Sequence, residues 1–464
     1  MSARFCTLFS SLSLLFLLTE NTALAWPPTY GSEFNFSNNK MEHARQARKK
    51  NKAKLGARWE NPDEHEQAEA TRFSEAVKTA CHEDCTVTAH TGKFGATEYR
   101  VQHKNGYGFN IAVDPMYVEI QTEPQTLDQL RSTEDMAQKF IFDIADSIGL
   151  TKDDNAHFNI GIKSAFEDNP NAFLRFFSNY HNFPQLASGA IGVDFANAPP
   201  LSHLEQGQRN AFQDILDQAN RRKFKDLESI TQKIQIKVYT STPAFDVGFH
   251  YQGISLKNAQ HLSGSDKPFE FRAPRQPLNA HERTLLAEMF ERRMEFERGV
   301  TDPIVYLDLP QNNNYSNHEI ANSFRAYIEE MNGDWDHFKL LLPEEMREIQ
   351  PDAFIKSALD WANLKQVREL QYHLPYVGSS EWTRKKFLDL LSDESSKNSG
   401  NGMKLIEEVQ KLYEKSNNFY IRDSLRKFLE RVKKIDHWSS ISAPKAEVEY
   451  KELSCFRRLL SVFR

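Results

Sequence analysis

The chain has 464 residues, of which 39% are hydrophobic and 26% are charged, and its formal net charge is −6. That length favours about two or three domains, and the 33 phenylalanines predict a core rich in aromatic side chains. The mild negative charge argues against nucleic acid as a partner, because phosphate contacts need concentrated lysine and arginine. The basic run at 45–54 has no interleaved aromatic residues and precedes the acidic stretch 60–69, so we interpret it as a solvated helix or loop.

The N-terminus has the pattern of a signal peptide. Arg4 supplies a positive charge, residues 8–18 form a short apolar run, and the small residues Ala23 and Ala25 mark a cleavage site. This pattern predicts a cleaved signal peptide over residues 1–25, and therefore an exported protein that is periplasmic or secreted. No other segment approaches about 20 consecutive apolar residues, so we expect no integral membrane segment after cleavage.

The mature chain keeps three cysteines, Cys81, Cys85 and Cys455. In an exported protein Cys81 and Cys85 can be oxidised to a disulfide that closes a small loop. No second Cys/His pair stands at zinc spacing, which argues against a metal site that uses His82. A disulfide and free thiols both remain open interpretations.

Residues 26–280 mix short strand-like runs with helical stretches. In the strand-like runs apolar and polar residues alternate, which is typical of antiparallel strands with one buried face. Between them, apolar residues at helical spacing predict helices. The predicted strands are 107–113, 117–122, 157–162 and 234–239, and the predicted helices include 126–147 and 170–182.

After Pro277 helical patterns replace the alternation. Two pairs of residues, Asn279 with Glu282 and Ser316 with Glu319, have the spacing of a capping box, in which each side chain caps the backbone of the other residue. We therefore expect a mostly α-helical region over 281–464. Its further predicted helices are 353–363, 382–391, 403–413 and 421–432, with a polar loop at 393–402.

Five segments before residue 280 carry polar side chains in strand-like surroundings. Side chains two apart in a strand point to the same face, so polar residues at this spacing can act together. The pairs are Glu33 with Asn35, His157 with Asn159 and Glu270 with Arg272; Glu119 stands at the centre of another strand, residues 250–258 form the remaining segment, and Arg275 follows the last pair.

In this order the segments resemble the glutamine-synthetase-like carboxylate–amine ligases, notably the amidoligase and glutamate–cysteine ligase families. Those proteins open with a Gly-x-Glu-x-Glu-like strand, continue with Asp-Pro-x-x-x-Glu-like and His-x-His-like strands, and close with Glu-x-Arg. The resemblance covers roughly residues 30–280. It implies an α+β fold in which an antiparallel sheet forms a cleft with flanking helices, here as a catalytic domain over 26–280 that precedes the helical region 281–464.

The resemblance also implies a reaction. A substrate carboxylate attacks the γ-phosphate of ATP, and an amine then displaces phosphate from the acyl phosphate to give an amide or peptide-like bond. The implied substrates are small-molecule or peptide carboxylates and amines. The implied cofactors are ATP and Mg²⁺ or Mn²⁺, which hard oxygen ligands hold.

Roles for individual residues follow from the same resemblance. Glu33, Glu119 and Glu270 are expected to bind the metal ion, because carboxylates at the centres of neighbouring strands can converge on one point. Arg272 is expected to stabilise charge on the transferring phosphoryl group, work that suits a planar and permanently charged donor. The implied role of His157 is catalytic, near the metal or the phosphates, whereas Asn35, Asn159 and Arg275 are expected to contact the nucleotide.

Two positions depart from the family pattern. Asn35 stands where a second acid is expected, and Asn159 stands where a second histidine is expected. An asparagine offers a carbonyl oxygen but no charge, which weakens one metal position. The alternative hypothesis is therefore a non-catalytic binding or interaction protein on an amidoligase-like scaffold, with a protein partner bound through residues 281–464.

Overall fold

The structure is a computed structural model. It describes residues 27–51, 62–114, 117–183, 186, 190–192, 198, 201–239, 252–259, 266–301, 303–307, 315–349, 377, 381–398 and 400–444. The predicted signal peptide at 1–25, the predicted helix at 353–363, His250 and Cys455 lie outside these residues.

The described residues form one open eight-stranded sheet in the order β2-β3-β4-β5-β1-β6-β8-β7. Each strand is antiparallel to its neighbours. With the helices around it, this sheet confirms the expected α+β class. The strands are β1 (Tyr30–Ser37), β2 (Cys85–Thr91), β3 (Thr97–His103), β4 (Gly108–Asp114), β5 (Tyr117–Thr122), β6 (Thr151–Gly161), β7 (Ile254–Ser255) and β8 (Pro268–Phe271).

Helices fill the connections and the C-terminal part of the described chain. Those before residue 280 are α1 (Asn39–Lys50), α2 (Glu64–Cys81), α3 (Leu127–Ser132), α4 (Glu134–Ala137), α5 (Asp143–Ser147), α6 (Ile162–Phe166), α7 (Pro170–Asn182), α8 (Gln206–Asn220) and α9 (Leu227–Ile234). Those after it are α10 (Ala280–Gly299), α11 (Asn317–Glu330), α12 (Trp335–Phe338), α13 (Glu344–Arg347), α14 (Glu381–Ser392), α15 (Glu394–Asn398), α16 (Asn401–Lys415) and α17 (Phe419–Lys433).

Alternation along the strands gives the sheet one apolar and one polar face. Phenylalanines point to the apolar face, where helices cover them: Phe271 of β8 stacks on Phe290 of α10, with ring centroids 4.4 Å apart. Phe34 of β1 contacts Phe142 in edge-to-face geometry at 5.2 Å. The glutamates of the same strands therefore lie on the opposite face, where the candidate site is found.

The main hydrophobic cluster crosses the division expected at residue 280. It begins with Tyr30 and includes the apolar face of β6 and β8, but it also contains Phe290 of α10 and continues to Met346. A separate cluster, from Val377 to Ile441, joins α14, α16 and α17. The packing therefore places α10 with the sheet.

The predicted strands at 107–113, 117–122 and 157–162 are confirmed by β4, β5 and the C-terminal half of β6. The strand predicted at 234–239 is wrong, because α9 ends at Ile234 and continues as one π-helical turn, Gln235–Tyr239. Buried residues at 227, 230, 234 and 238 stand three or four apart, which is helical spacing. The strand-like alternation is only the end of that longer pattern.

The helix predicted at 170–182 is confirmed by α7. The stretch 126–147 is helical, but it is divided at Thr133, whose φ of −110° and ψ of 10° separate α3 from α4. The C-terminal helices predicted at 382–391, 403–413 and 421–432 correspond to α14, α16 and α17. The loop predicted at 393–402 contains the short helix α15 and the first two residues of α16, so that prediction is wrong for most of its length.

Three smaller predictions concern the cysteines, the helix caps and membrane-spanning segments. Cys81 and Cys85 form a disulfide between the end of α2 and the start of β2, with Cα atoms 5.5 Å apart. The capping box at Ser316 is complete, whereas Glu282 caps the backbone N–H of Leu278 rather than that of Asn279. Within the described ranges, we find no helix with both the length and the apolar character that a bilayer span requires.

Candidate metal centre

The candidate site lies on the polar face of three neighbouring strands, β1, β6 and β8. Each strand contributes one ligand-type side chain: Glu33, His157 and Glu270. The register sets Glu33 directly opposite His157. It also sets Asn159, two residues after His157, opposite Glu270. We call Glu33, His157 and Glu270 the metal cluster.

The imidazole of His157 lies between the two carboxylates. Its Nδ1 is 2.8 Å from Oε2 of Glu33 and 3.0 Å from Oε1 of Glu270. One potential ligand atom from each of the three side chains lies within 4.8 Å of the others. Metal–oxygen bonds are only about 2.0–2.6 Å long, so all three atoms can reach one cation.

Two further polar side chains hold the cluster from either side. Arg272 donates a hydrogen bond from Nη1 to Oε1 of Glu270 at 2.8 Å, and both side chains are 8% exposed. Asn159 donates from Nδ2 to Oε1 of Glu33 at 3.2 Å. Such second contacts fix the orientation of a ligand and tune its affinity for a metal.

The protonation of His157 depends on the carboxylates around it. Burial by itself lowers the pKa of the imidazole, but the hydrogen bonds to Glu270 and Glu33 outweigh burial and raise the pKa to about 9. In the absence of a cation His157 is therefore a charged imidazolium at neutral pH. A metal ion bound to its nitrogen would replace a proton.

Glu119 lies beside the cluster on β5, opposite Asn35 of β1. It accepts a hydrogen bond from Gln121 and is 9% exposed. Burial, and then the negative charges of Glu33 and Asp114, raise its pKa to about 8. A cation beside Glu33 and Glu119 would offset this repulsion.

A cavity of about 310 Å³ opens beside Glu33 and Asn159. All of its lining residues except Pro124 have polar or charged side chains. The other lining residues are Ser32, Arg100, Asn110, Gln121, Thr122 and Glu123. This volume stands at the lower end of the range for small-molecule sites, about 300–1,000 Å³.

Sequence reasoning missed seven of the nine lining residues, and three of the seven are Arg100, Asn110 and Gln121. Together with Glu33 and His157 these three form one straight row across β3, β4, β5, β1 and β6. Alternation placed Gln121 on the face of Glu119, so that signal was present in the sequence. Arg100 and Asn110 join the row only through the register of distant strands, which the sequence does not contain.

Among the expected nucleotide contacts, the side chain of Arg275 has other partners in the structure. Arg275 donates hydrogen bonds to Glu282 and to the backbone carbonyl of Leu341. The backbone N–H of Asn35 donates to Oε1 of Gln276 at 2.8 Å. Asn159, by contrast, lines the cavity and contacts the cluster.

The donor set suits a hard or borderline divalent cation. Two carboxylates and one imidazole leave coordination positions for water or phosphate oxygens. Carboxylates favour Mg²⁺ and Mn²⁺, while imidazole favours the later transition metals. The mixed set therefore fits Mn²⁺ at least as well as Mg²⁺.

The chain was compared with family models, curated proteins and solved structures, and it matches none of them.

Proposed function

We propose that this protein is an exported ATP-dependent carboxylate–amine ligase with a glutamine-synthetase-like cleft. The convergence of Glu33, His157 and Glu270 on one polar sheet face carries the proposal. Three residues far apart in sequence meet there within reach of one cation, beside the Glu270–Arg272 pair and a polar cavity. The antiparallel sheet and the helices that flank it also support this proposal.

Each residue of the site has a distinct task in this reaction. When bound, Mg²⁺ or Mn²⁺ would supply positive charge to the phosphate oxygens of ATP. Glu33 and Glu270 offer fixed oxygen ligands, since each is held by a neighbouring donor, Asn159 or Arg272. Arg272 adds a permanent positive charge next to the position where the phosphoryl group would carry negative charge.

The cavity beside Glu33 suits polar substrates. Arg100 and Asn110 offer N–H donors for a carboxylate, while Glu33 and Glu123 offer acceptors for an amine. An ion pair between Arg100 and Glu123 places both kinds of group on one wall. We assign this cavity to the carboxylate and amine substrates.

The proposal is tested first by metal binding. Free Mn²⁺ can be followed by electron paramagnetic resonance during titration of the full chain, where we expect one site that Mg²⁺ displaces. Glu270→Gln removes one charged ligand and should weaken Mn²⁺ binding by roughly 10–100-fold. The matched control is Glu75→Gln, the same change at an exposed helix position, which should leave the affinity unchanged.

Nucleotide binding supplies the second test. Calorimetry should show an ATP site that appears only when Mg²⁺ or Mn²⁺ is added, and Glu270→Gln should abolish this metal-dependent binding. If millimolar Mg²⁺ or Mn²⁺ adds no ATP binding to that seen in EDTA, and Glu270→Gln behaves as the wild type does, the ligase is rejected.

One observation favours a second candidate function, the non-catalytic binding protein. His157 as an imidazolium, together with Arg272, already pairs both carboxylates of the metal cluster. The network is therefore complete without a cation. This candidate predicts that Mn²⁺ leaves the thermal unfolding midpoint of the full chain unchanged, whereas the ligase predicts an increase, because a ligand that binds only the folded state stabilises it.

A further inference from the structure

A second cavity, of about 290 Å³, lies in the C-terminal part of the protein. Its walls come from α17, from Arg384 of α14 and from Pro303. It shares no residue with the metal cluster or with the cavity beside it. The lining residues of α17 and its C-terminal cap are Ser424, Lys427, Phe428, Glu430, Arg431 and Lys434.

Positive charge dominates this basic cavity. Arg384, Lys427, Arg431 and Lys434 are four cations, and Glu430 is the one carboxylate among the lining residues. Glu430 accepts a hydrogen bond from Arg426 at 2.6 Å, so its charge is already shared with a fifth cation. An excess of positive charge therefore faces a space of small-molecule size.

The periodicity of α17 explains why the cations collect there. Lys427, Arg431 and Lys434 stand four and then three residues apart, so they share one helix face. The opposite face carries Leu425 and Leu429, which are buried in the C-terminal core. The helix is therefore fixed by its apolar side and presents its cations to the cavity.

Arg384 forms the buried part of the site. It is 7% exposed and donates a hydrogen bond from Nη1 to the carbonyl of Val377 at 3.2 Å. Lys427 is more exposed, and a carboxylate oxygen of Asp423 lies 2.8 Å from its Nζ. A guanidinium fixed by the fold and ammonium groups around it form an arrangement that recognises phosphate oxygens.

We propose that the basic cavity binds a small phosphate-bearing ligand with at least two phosphate groups. Several negative charges on one small molecule would offset the positive charge that exceeds that of Glu430 and Asp423, which a single carboxylate would not. Phosphate oxygens accept charge-assisted hydrogen bonds from Arg384 and from the lining lysines. The described lining of the basic cavity has one carboxylate rather than the pair found in the metal cluster. The cations of the protein contact the phosphates directly, so we expect binding without a divalent metal ion.

The experiment titrates the full chain with inorganic pyrophosphate by calorimetry, in the presence of EDTA. EDTA removes the cations that the metal cluster would use, so the result does not depend on the proposed ligase activity. Wild type should bind, and Glu270→Gln should bind equally well. ADP, titrated in the same way, identifies the source of the phosphates: tighter binding assigns a nucleotide, and equal binding assigns free pyrophosphate.

The last residue of α17 and its C-terminal cap supply a matched pair of variants. Lys434→Glu reverses one charge that lines the cavity and should weaken pyrophosphate binding by on the order of tenfold. Lys433→Glu makes the same change one residue away, at an exposed position that does not line the cavity, and should change it far less. Equal weakening by both variants, or no binding to the wild type, would overturn the proposal.

Discussion

The two faces of the central sheet differ in chemistry, although the same strands form both. On one face Phe34, Phe269 and Phe271 are completely buried under helices. On the other face Glu270 and Glu119 are almost as buried, although burying charged groups costs free energy. Burial on the apolar face therefore adds to stability, whereas on the polar face the ion pairs of Glu270 with His157 and Arg272 offset a cost of burial.

The largest expected effect is on the apolar face. Phe271→Ala removes a ring that stacks on Phe290 and also contacts Phe176 and Tyr180. The cavity left behind should lower the free energy of unfolding by about 3–5 kcal/mol, measured by urea denaturation in the presence of EDTA. Leu278→Ala, at a side chain that is 53% exposed, should have little effect. Similar losses for both variants would contradict this view of the apolar face.

The next effect concerns the buried acid on the polar face. Burial raises the pKa of Glu119 in the folded state to about 8, above its ordinary value of 4.5. A raised acid pKa favours the neutral form, so its contribution to stability is complete below about pH 4.5 and is lost as the pH rises through about 8. Glu119→Gln cannot ionise and avoids this loss.

We therefore expect metal-free Glu119→Gln to gain stability over the wild type between pH 5 and pH 9, by roughly 3 kcal/mol. Urea denaturation in EDTA at the two pH values measures this difference. Glu75→Gln, at an exposed position, should follow the wild-type profile. A constant difference between Glu119→Gln and wild type would show that Glu119 ionises normally.

The smallest expected effect is a change in Mn²⁺ affinity. It distinguishes Asn159, which contacts the metal cluster, from Arg275, which contacts other residues. Asn159→Ala removes the hydrogen bond to Glu33 and should weaken Mn²⁺ binding by roughly tenfold. Arg275→Gln alters a residue that contacts Glu282 and Leu341, so it should leave Mn²⁺ affinity unchanged. The reverse result would mean that the nucleotide side of the cleft extends to Arg275.

Strand alternation was sufficient to predict which side chains share the polar face. Glu33, His157 and Glu270 each stand at the correct parity within a short strand, and parity alone fixes the face of a side chain. Their meeting point also depends on strand order and register, which follow from packing over the whole domain. This is why the row through Arg100 and Asn110 was not predicted.

The failures at other positions have local causes. At 234–239 a short alternating run matched a strand, while the buried positions of the preceding α9 extend the helical period through it. At Asn279 the sequence predicts a reciprocal cap, but Glu282 is engaged by Arg275 and by the backbone of Leu278. In both cases residues a few positions away along the chain override a short sequence pattern.

The order of the strands along the chain has a consequence for biosynthesis. Glu33 and His157 are 124 residues apart in sequence, and Asn35 and its partner Gln276 are 241 residues apart. A nascent chain that ends before β8 lacks Glu270 and Gln276, so it cannot contain the complete ligand set. For the proposed metal site, a cation could therefore bind only after β8 has joined the sheet.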